Sequence, residues 1–295
     1  MKTIAVYGRE FQPSVIPYVQ QLFDFLASRG VDCWIYKPFH DFLEQRVTCA
    51  RRAQTFLHKD ELPQDTALML SLGGDGTMLA AVSIVGDSGI PVAGINFGRL
   101  GFLASIHKDG IRQSLGEILD GDYGLQQRAL LSVTASDRAL FGGNPYALND
   151  ITLFKHDSSG MITVKAYLNG DLLNNYWADG IIVATPTGST AYSLSCGGPI
   201  IMPGSGNFVI TPVSPHNLNV RPVVISNDFE LDLEVESRSE HFLLSCDSKT
   251  ETMPTSARIR ITKAAHSINL VRLKDDSFFS TLRHKLLWGL DARNY

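Results

Sequence analysis

Five consecutive residues, Gly73-Gly74-Asp75-Gly76-Thr77, combine backbone freedom with a single carboxylate. They follow one apolar run, Ala67 to Leu72, and precede another that begins at Met78. That pattern predicts a buried strand turning sharply into a helix. Gly73 and Gly74 let the backbone turn and let a ligand approach it closely. Gly76 and Thr77 would open the helix, whose unpaired N–H groups and dipole favour phosphate oxygens. Asp75 sets a negative charge where an anion would bind, so it needs a task such as taking a hydroxyl proton or facing a divalent ion. An ordinary strand-to-helix turn of an α/β protein carries the same glycines.

Two further stretches hold polar groups against apolar surroundings. Asp179 to Ile200 runs from a predicted strand, Gly180 to Ala184, into a loop dense in hydroxyls, with Pro186 and Gly188 fixing its course. Ser189 or Thr190 could cap a helix beginning at Ala191. Hydroxyls and free N–H groups suit ribose or an amide, and Tyr192 could stack on a ring. A serine- and threonine-rich capping turn is the plainer account. Within Tyr146 to Ile151, Asn149 and Asp150 interrupt an apolar strand with a donor–acceptor amide and an acceptor carboxylate. A strand end or β-bulge would also explain that pair.

The elements that must position these groups fall into two textures. Strands at Lys2 to Tyr7, Val31 to Tyr36, Ala67 to Leu72 and Ile90 to Ile95 alternate with helices over Val15 to Arg29 and, by expectation, Phe42 to Leu57. This predicts an α/β domain with a parallel sheet over residues 1–127, where ligands sit beyond the carboxyl ends of the strands. From Arg128 the runs become short and β-rich, among them Ala129 to Ala135, Tyr146 to Phe154, Ile162 to Leu168, Arg258 to Thr262 and Ile268 to Leu273. An all-β, sandwich-like domain is expected over residues 128–275. Phe278 to Leu290 reads as an amphipathic helix, and residues 276–295 are expected to pack back on the first domain.

Composition narrows the function. With 295 residues, 44% of them hydrophobic, the chain can bury two cores. A net charge of −4 carries no basic footprint for nucleic acid. Four scattered cysteines (Cys33, Cys49, Cys196, Cys246) form no CxxC and point to neither zinc nor a disulfide framework. No secretory start or membrane-length apolar run is present, so a cytoplasmic protein is expected. There is no Walker A lysine, no protein-kinase HRD or DFG and no complete GxGxxG after a strand. Gly86-Asp87-Ser88-Gly89 matches a serine-protease string without its context.

Taken in order, Gly73 to Thr77, Asn149-Asp150 and the run Asp179 through Ile200 (with TPTGSTAYSLS inside it) resemble the signature of the NAD kinase family. Asn96 to Leu103 (NFGRLGFL), Pro215 to Leu218 and Arg221-Pro222 are similar to further family landmarks. The resemblance implies phosphoryl transfer from ATP to the adenosine 2′-hydroxyl of NAD, giving NADP, with a divalent ion, Mg²⁺ first, as cofactor. It implies Asp75 as the catalytic group and Gly73, Gly74, Gly76 and Thr77 around the phosphates. NAD would be held by Asp75, Gly76, Asn149, Asp150, Asp179, Thr187, Thr190, Ala191, Tyr192, Ser193, Leu194 and Ser195. A homodimer or homotetramer is implied, with NAD and ATP as partners and neither nucleic acid nor membrane. Roles for Arg99 and His216 stay open.

Four positions depart from the family pattern. Asp150 replaces the commoner glutamate, Cys196 an alanine, Ser248 the glycine expected after Asp247, and Trp177 a more polar residue. The Ser248 change leaves a contact from Lys249 open, and Trp177 bears on the choice between NAD and NADH. Two other readings compete. A lipid kinase of the diacylglycerol type shares GGDGT but not TPTGSTAY. A non-catalytic NAD sensor shares the binding residues, although it would have little use for Asp75.

Overall fold

Short apolar runs build the first sheet, and two of them, Thr3–Gly8 and Thr66–Leu72, end at or just before a glycine. The computed structural model describes residues 3–48, 53–98, 101–136, 138–157, 160–274 and 276–288. They divide into two units, one of residues up to Gln127 together with those from Ile268 on, the other Arg128–Ser267.

The first unit contains β1 (Thr3–Gly8), α1 (Ile16–Ser28), β2 (Asp32–Tyr36), α2 (Lys37–Leu43), β3 (Gln54–Phe56), β4 (Thr66–Leu72), α3 (Asp75–Val85), β5 (Val92–Asn96), β6 (Ile106–His107) and α4 (Ile111–Asp120). The parallel order is β3-β2-β1-β4-β5, with β6 beside β5. Direction reverses between β1 and β4, so the carboxyl end of β4, where Gly73 begins, lies at the switch point of the sheet. Val19, Leu22, Phe23 and Leu26 form the buried stripe of α1 and share one core with Ile4, Val6, Leu68, Leu70, Ala93 and Ile95. Each such side chain contributes roughly 1.5–3 kcal/mol on burial.

The helix expected over Phe42 to Leu57 is corrected. Pro38 in the first turn starts α2 earlier and the helix ends at Leu43, while Gln54–Phe56 pairs with β2 as a third parallel strand. Residues 49–52 lie outside the described residues.

The second unit holds most of β7 (Gly124–Ala135), then β8 (Tyr146–Ala147), β9 (Asp150–Lys155), β10 (Ile162–Leu168), β11 (Asp171–Ala178), β12 (Gly180–Ala184), α5 (Tyr192–Ser195), β13 (Asn207–Val213), β14 (Val223–Ser226), β15 (Leu231–Glu236), β16 (His241–Cys246), β17 (Lys249–Pro254) and the start of β18 (Ile259–Arg272). One antiparallel sheet runs β14-β13-β12-β9-β16-β17. The other antiparallel run is β11-β10-β15-β18. Ile151, Val183, Ile210 and Leu244 from the first meet Val164, Leu233 and Ile261 from the second in one core. Ile182, Ala184, Val209 and Val213 point the other way and are covered by Ile201 and the half-buried Cys196. Burial on both faces explains why β12 reads as an unbroken apolar run and β13 as one interrupted only by Thr211 after Asn207.

Three expectations for this region need correction. The single strand over Tyr146 to Phe154 is two strands, β8 pairing with β7 and β9 with β12 and β16. The separate strands at Arg258 to Thr262 and Ile268 to Leu273 are one, β18. β11 and β17 were not expected: both pair at sheet edges, Asn174-Asn175 interrupts the apolar residues of Asp171–Ala178, and Lys249–Pro254 is mostly polar.

The last helix, α6 (Phe278–Leu286), belongs to the first unit and stops short of the expected end; Leu290 lies outside the described residues. Its Ser277 cap accepts from the N–H of Ser280. Ser277→Ala is expected to cost about 1 kcal/mol, a fall in melting temperature of roughly 2 °C measurable by calorimetry. Among the described residues no helix is long and apolar enough to cross a membrane.

Candidate functional site

The candidate residues form two groups, one in each unit. In the first, β4 leaves the sheet through Gly73, whose φ of +151° favours glycine and where an added Cβ would overlap the Thr77 side chain. Gly74 stands at the N-cap of α3, no side chain caps the helix, and Thr77 and Met78 donate to the Gly74 carbonyl. Asp75 is the first residue of the helix. Its Oδ2 accepts from the N–H of Phe102 (2.8 Å), and its Oδ1 from Leu103 (3.0 Å) and Ala104 (3.2 Å). Gly101 makes that approach possible, since a Cβ there would collide with the Asp75 carboxylate. The carboxylate therefore fixes the turn that follows β5. Arg99 and Leu100 lie outside the described residues.

The second group is built around a break between strands. Leu148 and Asn149 separate β8 from β9, and a carboxylate distant in sequence holds them. Asp247, in the two-residue turn between β16 and β17 at φ +51°, accepts from the N–H groups of Leu148 (2.8 Å), Asn149 (2.8 Å) and Asp150 (3.1 Å). Its own N–H donates to the Asp150 carbonyl. From the other side, Thr185 donates its hydroxyl to the Leu148 carbonyl (2.6 Å) and its N–H to that of Asn149 (2.9 Å). Gly188 packs so closely that a Cβ would overlap the Asn149 backbone. With its main-chain donor and acceptor both engaged, Asn149 has its carboxamide left to offer.

The hydroxyl-rich loop divides into a frame and a face. Thr187 is buried and accepts from Arg128 Nη1 (3.2 Å), Ser189 bridges the Pro186 carbonyl and the Ile201 N–H, and Ser193 pairs with Thr211 (2.8 Å). Thr190 donates to the Thr187 carbonyl. Neither Ser189 nor Thr190 caps the helix as expected. Residues Gly188–Thr190 form a 3-10 turn, and α5 starts one residue later, uncapped, after Ala191. Tyr192 (43% exposed) and Ser195 face outward, with Ala191, Thr190 and Leu194 partly open. Asp179 forms an ion pair with Lys155 (2.6 Å).

Electrostatics single out one carboxyl in this group. Burial, then the nearby Asp247 charge, pushes Asp150 up to about 7, against one hydroxyl donor, Thr152. Burial also raises Asp247, opposed by its three amide donors. Burial raises the Tyr192 phenol and the Cys196 thiol, and the Asp150 charge adds to both. Cys246 is pushed up to about 12, first by burial and then by Asp247.

Residues 4–123 match the ATP-NAD kinase N-terminal domain, and residues 148–273 the ATP-NAD kinase C-terminal domain. The chain belongs to the NAD kinase family. Among curated relatives, the NAD kinase of Cytophaga hutchinsonii is 46% identical over 98% of this chain and 99% of its own. That of Bacteroides fragilis is 43% identical over the same shares. Two solved NAD kinase-like structures share the fold. Yeast NADH kinase complexed with NADH has a TM-score of 0.86 at 23% identity, covering 100% of this chain and 90% of that one. An NAD kinase from Archaeoglobus fulgidus in complex with ATP has 0.75 at 22%, covering 97% and 99%.

Several positioning groups of this NAD kinase chain escaped sequence reasoning. Arg128, Thr185, Lys155 and the amides of Phe102 to Ala104 had no local signal. Each acts on a partner far away in sequence or through its backbone. Trp177 and His216, read separately from the sequence, stack at 4.0 Å, and the His216 N–H donates to the Trp177 carbonyl. Lys249 donates to the Asn144 carbonyl (2.7 Å) and lies over the Phe141 ring, which gives it a structural task.

Proposed function

We propose that this chain transfers the γ-phosphoryl group of ATP to the adenosine 2′-hydroxyl of NAD, forming NADP and ADP. The observation that carries the reading is an intact glycine turn at the switch-point end of β4, with Asp75 opening α3, in a chain that belongs to the NAD kinase family. In this reading Gly73, Gly74, Gly76 and Thr77 surround phosphate oxygens, helped by the helix dipole. The 2′-oxygen attacks the γ-phosphorus, the bond from that phosphorus to the bridging oxygen breaks, and the 2′-hydroxyl proton passes to Asp75. A carboxylate has about four acceptor positions. Asp75 uses three on backbone amides, and Oδ2, which accepts only one of them, keeps a position for the hydroxyl.

The Asn149 carboxamide and the Asp150 carboxyl take the adenosine end of NAD, and Tyr192 with Ala191, Thr190, Leu194 and Ser195 forms the face beside them. Thr187 and Ser193 contribute by holding that loop in shape. Asp179 serves the nicotinamide end, with Lys155 as its counter-charge. Among the described residues no group of three His, Cys, Asp or Glu could cage a metal, and Asp75 has three amides on its carboxylate. These residues do not make a resident metal site, so Mg²⁺ enters here as part of the substrate, bound to the ATP phosphates. The setting is cytoplasmic, and the assembly a homodimer or homotetramer, which light scattering measures.

The test is NADP formation from NAD, ATP and Mg²⁺, read through an NADP-specific dehydrogenase. Turnover is expected with ATP. Turnover only with polyphosphate, or only on NADH, would move donor or acceptor specificity. Binding of NAD without turnover under any donor would overturn the kinase reading.

A further inference from the structure

Asp150 and Asp247 are neighbouring acids in the second unit, the Asp150 N–H donating to Asp247 Oδ1 at 3.1 Å, and their carboxyls have very different surroundings. Asp247 accepts three backbone N–H donors, each within 3.1 Å, from three successive residues. Asp150 accepts from one hydroxyl, Thr152, at 3.2 Å. Both are half-buried, and two neighbouring carboxylates do not both ionise readily, so the charge settles where the donors are. The other titratable groups around them supply little relief. Lys249 acts on Asp247 and Cys246, its ammonium being bonded to the Asn144 carbonyl. The remaining neighbours of Asp150 are the Cys246 thiol on β16, the Tyr192 phenol on α5 and the Cys196 thiol just after that helix. Lys155 is engaged by Asp179.

We propose that Asp150 keeps its proton up to neutrality, with Asp247 holding the one negative charge of the pair there, so that the nucleotide meets an O–H donor. This rests on the nucleotide-binding reading of the Asn149–Tyr192 face and deepens it. A carboxylate there would accept from ribose hydroxyls or from the exocyclic amine of adenine. A carboxylic acid donates as well, and so selects an unprotonated ring nitrogen or a ribose oxygen. The upward displacement of Asp150 to about 7 agrees with the donor count.

Two readouts test the proposal, the first without any nucleotide. In protein labelled with ¹³C at aspartate Cγ, with Asp150→Asn identifying the resonance, Asp150 should titrate with a midpoint near 7. A midpoint in the ordinary carboxylate range, near 4, would overturn the proposal whatever NAD does. The second readout is NAD affinity by calorimetry from pH 6 to 8.5. It should weaken above neutrality towards a limiting slope of about tenfold per pH unit, as one proton is lost, and Asp150→Asn should remove that slope. A flat profile in the wild type would overturn the donor role. A midpoint near 7 with no NAD binding at any pH would instead overturn the nucleotide reading of this face, and the donor role with it, while leaving the titration intact.

Discussion

Replacing Asp75 by asparagine is expected to lower kcat by about 10²- to 10⁴-fold, the range in which a positioned proton acceptor contributes. It should also destabilise the first unit, because the carboxylate is the shared acceptor for the amides of Phe102, Leu103 and Ala104. An asparagine offers one oxygen. Its NH₂ would face an N–H that had a partner, at a cost of about 1–3 kcal/mol. The two effects separate experimentally, kcat from initial rates at saturating ATP and NAD, and stability from the melting temperature. A lowered melting temperature with near-normal kcat would make Asp75 a strut for the turn after β5 and nothing more. Gly101→Ala supplies the comparison, because its Cβ displaces the same carboxylate while leaving the charge present. Its loss in kcat should fall between that of Asp75→Asn and the wild type.

Gly188→Ala is expected to raise the KM for NAD at least tenfold and to lower the melting temperature by several degrees. A Cβ at this position would overlap the carbonyl of Asn149, and both sides of the collision are backbone. Side-chain rotation cannot relieve it, so either the Asn149 segment or the TPTG turn must move, at roughly 1–3 kcal/mol or more. Movement of either separates the Asn149 carboxamide from the Tyr192 face. Gly170→Ala is the contrast. Gly170 sits at φ +89° with open space around it, in the turn between β10 and β11. It should show the strain of a left-handed alanine in its melting temperature with KM unchanged. An unchanged KM in Gly188→Ala would remove the Asn149 segment from the NAD site.

Local signals carried the sequence reading where one strand and its exit contain all the information. Ala67 to Thr77 is such a case, since an apolar run, a glycine needing positive φ and a helix start are contiguous. The alternating units of the first sheet were legible for the same reason, except where Pro38 set the start of α2 earlier than its apolar pattern suggested. In the second unit the strands buried on both faces stood out, whereas β11 and β17, pairing at edges and partly open to solvent, did not. The site divided along the same line. The hydroxyls of TPTGSTAYSLS were conspicuous as letters, yet which of them point inward depends on Arg128, Ile201 and Thr211, 59, 12 and 18 residues from their partners. No periodicity encodes that. Asn149-Asp150 was visible as polar letters in an apolar run, but the break between two sheets that explains it is a property of pairing, which no single strand contains.

The Asp247 clamp has a consequence for synthesis. Its three hydrogen bonds close over 97 to 99 residues. β9 also gains a sheet neighbour, β16, only when that part of the chain exists. A ribosome that has released the first 200 residues has therefore emitted Asn149, Asp150 and the whole hydroxyl loop without the carboxylate that shapes them. Loop closure of that length is slow compared with local helix and hairpin formation. The nascent chain thus carries β1 to β5 with their helices, while the dinucleotide face waits for the β16–β17 hairpin and the first unit waits for Ile268 onward. Affinity for NAD should be acquired late and in one step, after the second unit's last residue, Ser267, has cleared the exit tunnel.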